Sequence, residues 1–265
     1  MTFQFQRAAE LLFTSQYLLQ FDDTIKFKLV RESRRGTLQI SPVNVPPFSY
    51  TTIDFVDVPD RKDKVPATEP LTVSWAVNTA FLTNVLSCFD PQTPLAMETA
   101  SDLAYVLLYQ KKADNASVQV VQVGVLHDLG PQLLVDHDVR ELYTIADIRG
   151  FNDVIRAVCA SDDDRCDVFL QRTSSRECEI GMKTSGVTSS LKVLLDEGQS
   201  ATKHLEGSAR CDDLQEFARL SVRMAKGSQS ASLMMGFGSD GIALFRLEWI
   251  TEYGLRTADL FFCAA

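Results

Sequence analysis

Apolar and polar residues alternate with a period of two in several short runs of this chain. Examples are TIKFKLV from Thr24, SVQVVQVGV from Ser117, ALFRLEW from Ala243 and ADLFFCA from Ala258. Such alternation puts successive side chains on opposite faces and predicts half-buried strands. Four segments instead carry apolar residues at helical spacing: RAAELLFTSQYLLQF from Arg7, VNTAFLTNVLSCF from Val77, DIRGFNDVIRAVCA from Asp147 and DDLQEFARLSVRMAKG from Asp212. The third aligns Ile148, Phe151, Ile155 and Val158 on one side. The fourth aligns Leu214, Phe217, Ser221 and Met224.

The order of these patterns repeats. FQFQRAAELLFTSQYLLQF parallels LYTIADIRGFNDVIRAVCA, a short strand running into a helix. IKFKLVRESRRGTLQIS parallels CDVFLQRTSSRECEIGM, two strands about a polar turn with Arg35 or Arg176. FLTNVLSCF parallels FARLSVRMA, and PLAMETASDLAYVLLY parallels SLMMGFGSDGIALFRLEW. Four pairings in one order, at nearly constant offset, predict two equivalent halves. Each reads strand, helix, strands, helix, strands, so four helices are expected. The strands come in hairpin runs without a helix between each pair, which predicts α+β with antiparallel sheet.

The stretch LHDLGPQLLVDHDVREL, with Gly-Pro, several acids and little periodicity, reads as an interdomain linker. The expected division is an N-terminal domain over 1–125, a connector over 126–139 and a C-terminal domain over 140–265. Polar loops, VDVPDRKDKVPATEP and DEGQSATKHLEGSARCDD, split the halves at matching places.

The chain has 265 residues, 45% of them hydrophobic, enough for a substantial core. No apolar run is long enough to span a bilayer, and MTFQFQRAAELLF lacks a signal-peptide layout, so a soluble intracellular protein is expected. None of the six cysteines forms a C-x-x-C pair; reduced thiols in core and strand positions, with no metal and no cofactor, are expected.

The formal net charge of −9 excludes a surface coated in cations but leaves room for a local basic patch. Arg149 and Arg156 fall opposite the apolar stripe of their helix, and Arg219, Arg223 and Lys226 do so on the matching helix. Each alone would be a solvated face; the coincidence on two equivalent helices points to a phosphate-facing surface. The first-half helices offer only Arg7. Two runs are candidate edge strands open to pairing with another chain. One holds Val118, Val120, Val121 and Val123; the other holds Leu191, Val193 and Leu195.

The duplicated unit, the connector and the basic helix faces resemble the DNA sliding clamps, typified by proliferating cell nuclear antigen. VNTAFLTNVLSCFDPQTPLAMETASDLAYVLLYQ resembles the clamp's second helix and following hairpin, FNDVIRAVCASDDDRCDVFLQ its third helix and following strand. Within that family, TSGVTSSLKVLLDEGQSATKHLEG and GFGSDGIALFRLEWITEYGLRTADLFFCAA look most like the Rad-one subunit of the DNA-damage checkpoint clamp. The resemblance implies a two-domain clamp fold with sheets outside and helices lining a hole. It implies a non-catalytic nuclear platform for checkpoint signalling and repair. Its partners would be Rad-nine-like and Hus-one-like subunits in a heterotrimeric ring, double-stranded DNA, a clamp loader, and repair or checkpoint proteins. Clients would dock in a groove under the connector, at Val45, Phe48, Leu126, Ile242 and Phe262. A homotrimeric replication processivity clamp is the alternative.

Catalytic signals are thin. His127 and His137 flank acids in the linker, His204 sits alone in a polar loop, and SDDDRCD reads as a helix-to-strand turn. GFGSDG lies between strands and reads as a hairpin. A metal-dependent 3′–5′ exonuclease, the rival from another class, needs converging carboxylates; the sequence shows no spaced set on adjacent strands, and only loss of a magnesium-dependent activity in Asp162, Asp163 and Asp164 mutants would revive it.

Overall fold

A computed structural model describes residues 2–5, 7–32, 35–43, 49–56, 71–99, 103–111, 117–126, 139–174, 177–194, 204–238, 241–251 and 254–264. The chain forms two compact units, Met1–Leu134 with Ile250–Ala258, and Val135–Trp249 with Asp259–Ala265.

The first unit runs β1 (Thr2–Phe5), α1 (Ala8–Leu19), β2 (Thr24–Glu32), β3 (Arg35–Pro42), β4 (Ser49–Val56), β5 (Leu71–Asn78), α2 (Thr79–Leu86), β6 (Leu95–Thr99), β7 (Tyr105–Lys111) and β8 (Val118–Gly124). The second runs β9 (Val139–Ile145), α3 (Ile148–Val158), β10 (Arg165–Arg172), β11 (Glu177–Lys183), β12 (Thr188–Leu194), β13 (His204–Arg210), α4 (Cys211–Gly227), β14 (Ser230–Gly238), β15 (Ile242–Thr251) and β16 (Gly254–Ala264). The end of β15 and the start of β16 belong to the first unit.

The duplication is explicit in the strand order. The first unit contains β1-β6-β7-β8 and β4-β3-β2-β5. The second matches them with β9-β14-β15, continued by β16 beside β15, and with β12-β11-β10-β13. All four sequence pairings fall on equivalent elements.

Alternation builds the core as expected. In β2, Ile25, Phe27 and Leu29 are buried, and across the ladder they meet Leu38 and Ile40 of β3. Phe27 lies directly opposite Trp75 of β5, and their rings stack at 5.4 Å, a favourable cross-strand pair. In the second unit, Cys166, Val168 and Leu170 of β10 and Cys178, Ile180 and Met182 of β11 are buried on one face. Phe151 of α3 meets Phe245 edge-on at 4.9 Å, and Phe245 stacks on Phe262 at 5.3 Å. On the opposite face of β10, Phe169 pairs with Gly181, and a Cβ there would sit 2.2 Å from the ring. Only glycine lets that ring lie flat across the neighbouring strand.

Helices α2 and α3 start where a side chain satisfies a free N–H group, whereas α1 and α4 have no side-chain cap. The Asn78 side chain accepts from Phe81 N–H at 2.8 Å, and Asp147 accepts from Gly150 N–H at 2.8 Å. In the first unit α1 packs on α2, with Thr83 Oγ1 donating to Ser15 Oγ at 3.0 Å. In the second, α3 packs on α4.

The segment DEGQSATKHLEGSARCDD is not simply a loop. His204 opens β13, whose Gly207 and Ala209 turn inward while Glu206 and Arg210 are exposed. Small inward residues make a strand there despite the polar composition. At the other linker boundary, Val139 is the first residue of β9.

The first unit also buries an ion pair. Glu10 of α1 and Arg256 of β16 are 1% and 0% exposed, with Oε2 and Nε 3.9 Å apart. Burial raises the Glu10 carboxyl above its ordinary value despite the pull of Arg256 and Arg7. Desolvation therefore outweighs the attraction.

Candidate nucleic-acid interface

Helix α3 turns Phe151, Val154, Ile155 and Val158 into the second unit, leaving Arg149 and Arg156 exposed; Ile148 is half-buried. Helix α4 buries Leu214, Phe217, Ser221 and Met224, as its stripe predicts, and exposes Arg219, Arg223 and Lys226. The two helices enclose a groove of about 560 Å³. Its walls carry Asn152 and Arg156 from α3, and Gln215, Arg219, Arg223 and Lys226 from α4. Ile155, Val222 and Cys159 form part of its lining. Four cations thus share one groove, while Arg149 lies on α3 outside its lining.

These cations differ in what else holds them. Arg219 forms an ion pair with Glu216 one turn earlier, so part of its charge is already compensated. Arg156 and Lys226 sit in the last turns of their helices, where a cation also complements the helix dipole. The groove can accept an anionic, extended ligand through nonspecific charge, and it has amide side chains in Asn152 and Gln215 for hydrogen bonding.

Arg7 does not join such a surface. It is the half-buried residue before α1, its Nε is buried, and its charge acts on Glu10. The first-unit helix pair is neutral on its outer side: α2 has no charged residue, and Phe81 is 50% exposed.

The candidate edge strands are at the ends of their ladders among the described residues. β8 pairs with β7 and ends the first sheet; β12 pairs with β11 and ends the other. Val118 and Val120 are exposed, Val121 is half-buried and Val123 is buried; Leu191 is half-buried and Val193 buried. Leu195 lies outside the described residues.

Of the groove residues under the connector, Val45 and Phe48 lie outside the described residues. Leu126 is exposed and bridges Ala76 through its backbone, and Ile242 is half-buried. Phe262 is 5% exposed and stacked on Phe245, so it is a core residue and lines no surface groove. His127 and His137 also lie outside the described residues.

In the acidic turn, Asp163 accepts from Ser185 N–H at 3.0 Å and from Ser185 Oγ at 2.7 Å. Those bonds hold its carboxyl below the usual carboxylate range. Asp163 therefore fastens the turn after α3 to the β11–β12 turn, and Asp162 and Asp164 are exposed beside it.

Sequence reasoning found the cations but missed what lies at one end of the groove. Cys159, Cys166 and Cys211 converge there. Their separation along the chain matches no motif spacing, so no signal in the sequence marks them.

The sequence matches two models described as the N-terminal and C-terminal domains of a family of unknown function, DUF7881, over residues 1–129 and 130–261. No curated protein matches the chain. Among solved structures, it is similar to proliferating cellular nuclear antigen from Entamoeba histolytica, with a TM-score of 0.66 at 14% identity, over 100% of this chain and 98% of the other. It is also similar to PCNA from Thermococcus kodakaraensis, with a TM-score of 0.70 at 9% identity, over 100% and 99%. The fold is that of the two-domain sliding clamps.

Proposed function

The chain belongs to the DUF7881 family, and we propose that it is a non-catalytic subunit of a ring-shaped clamp that encircles duplex DNA. The observation that carries this reading is the α3–α4 groove, with Arg156, Arg219, Arg223 and Lys226 on a clamp fold in a chain of net charge −9. Contacts of this kind hold phosphates without reading bases and are weak enough to slide. Retention is then topological, and an acidic remainder disfavours DNA elsewhere. The end strands β8 and β12 supply backbone pairing to neighbouring subunits.

Within the clamps, the reading is a Rad-one-like subunit of a heterotrimeric checkpoint ring in the nucleus, beside Rad-nine-like and Hus-one-like subunits. Such a ring would be loaded onto DNA and would carry repair and checkpoint proteins. The sequence resemblances at Thr184–Gly207 and Gly236–Ala265 support it, as does the uneven charge. A homotrimer would repeat the neutral α1–α2 pair three times around its hole. The homotrimeric processivity clamp is the second reading, favoured by the fold neighbours named above.

The test is the mass of the purified chain by sedimentation, followed by retention on circular DNA before and after linearisation. A monomer that joins a ring only with other subunits supports the checkpoint reading; a trimer alone supports the processivity clamp. Equal retention on circles and linear DNA refutes encirclement. Magnesium-dependent loss of 3′ ends, abolished by Asp162→Asn, Asp163→Asn and Asp164→Asn together, would establish the nuclease instead.

A further inference from the structure

Three cysteines scattered in sequence meet in the second unit. Cys159 caps the C-terminal end of α3, Cys166 lies at the start of β10, and Cys211 is the first residue of α4. They are 8%, 2% and 5% exposed, and their Sγ atoms all lie within 4.8 Å of one another. Each thiol is within hydrogen-bonding reach of the others.

The backbone holds this trio in place. Cys159 N–H donates to Ile155 C=O at 2.8 Å, closing α3. Cys211 N–H donates to Asp164 C=O at 2.9 Å, which ties the start of α4 to the turn before β10. Cys166 is fixed in the ladder opposite Ala209. Gln215, one turn into α4, donates Nε2 to Cys159 C=O at 3.1 Å and lies within reach of the Cys159 thiol. Two helix ends and a strand therefore aim three sulfurs at one point, with an amide donor beside one of them.

We propose that Cys159, Cys166 and Cys211 bind one zinc ion as three thiolates, with water from the α3–α4 groove as fourth ligand. Soft thiolate sulfur selects thiophilic ions over magnesium or calcium. Zinc–sulfur bonds of about 2.3 Å in a tetrahedron put the sulfurs about 3.8 Å apart, so the trio closes by about 1 Å at most. Cys159 also lines the groove, which gives the ion and its water an access path. On binding, three S–H bonds break, three protons leave to solvent and three Zn–S bonds form, with no change of oxidation state. The resulting site has a net charge of −1, which the groove cations offset. Gln215 would orient the Cys159 thiolate, as outer-shell donors do at metal sites. Bound zinc would pin the end of α3 to the start of α4 and so set the width of the basic groove.

The experiment uses the untagged full-length chain, reduced and stripped by a chelator, then titrated with zinc against a chromophoric competitor. The expected result is one zinc per chain, a rise in Tm and the loss of three reactive thiols. Cobalt, used as the spectroscopic substitute, should give intense thiolate-to-metal charge-transfer bands. Cys166→Ser should weaken binding by roughly 100-fold or more and Gln215→Leu by about 10-fold. Cys178→Ser, at a buried thiol outside the trio, should leave binding unchanged. Should Cys166→Ser fail to fold, the cobalt spectrum of the wild-type chain decides on its own. A folded wild-type chain that binds no zinc, or gives no charge-transfer band, overturns the proposal. So does zinc binding that survives Cys166→Ser in folded protein, or an oxidised disulfide as the stable form of the trio in the cell.

Discussion

Replacing Arg156, Arg223 and Lys226 by serine in one chain tests whether the α3–α4 groove holds phosphates. These three line the groove, and none is in the ion pair that engages Arg219. Each phosphate neutralised by a side chain contributes about 0.9 to the slope of log Kobs against log salt on duplex DNA. Loss of three contacts should flatten that slope by about 2.7. Between 50 and 200 mM salt, a fourfold change, this amounts to roughly 40-fold less salt-induced weakening than in the wild type. The assay is fluorescence anisotropy of a labelled duplex across a salt series, starting at low salt where a single subunit binds measurably. Lys183→Ser with Lys192→Ser is the control, removing two exposed cations outside the groove, for which a general charge effect would flatten the slope by about 1.8. By ladder register both lysines point away from the sheet face on which Ile180 and Met182 are buried, and both are exposed. Arg156 and Lys226 each contribute about 0.3–1 kcal/mol at their helix ends, so the variant's Tm is measured alongside. An unchanged slope in a folded variant, or a flattening of about 1.8 in the control, refutes the assignment of the groove to DNA.

The buried Glu10–Arg256 pair should respond asymmetrically: Glu10→Leu leaves a buried guanidinium without its carboxylate and should cost about 3–5 kcal/mol in urea unfolding. Adding Arg256→Met should recover most of that loss, because burial already outweighs the attraction at Glu10. Asp163, whose carboxyl is lowered by Ser185, adds stability that is complete above its unfolded value of about 3.9 and is lost as pH falls through the lowered value. Ser185→Ala should move the Asp163 titration back up, as read by carboxyl NMR. Gly181→Ala forces the Phe169 ring off the strand and should cost about 1–3 kcal/mol, an expense that Phe169→Ala in the same chain largely removes.

The repeat was legible because it is written in periodicity, and periodicity depends only on which face of an element is buried. β2–β3 and β10–β11 share no conspicuous identity, yet both alternate, and both land in the same place in their units. The outward cations of α3 and α4 were legible for the same reason: an apolar stripe fixes the exposed side. Strand β13 was not, since Gly207 and Ala209 turn inward without being strongly apolar. Arg7 proves half-buried with its Nε enclosed, and nothing local in the sequence shows that Glu10, three residues on, is buried. Phe262 was misplaced because a strand at the chain end reads alike whether its aromatic faces solvent or Phe245.

Duplication constrains the backbone and the core but leaves the surface free to diverge, and here the two helix pairs have diverged in opposite directions. The α1–α2 pair is joined by a Ser15–Thr83 hydrogen bond and presents a half-exposed Phe81 with no charge on α2. The α3–α4 pair presents four cations around a groove and places three thiols at its end. If both pairs met the same ligand in the same way, there would be no physical reason for the charge to be confined to one. The unequal surfaces place the grouped cations on the second unit's helix pair, and the proposed anion contact rests on that pair alone.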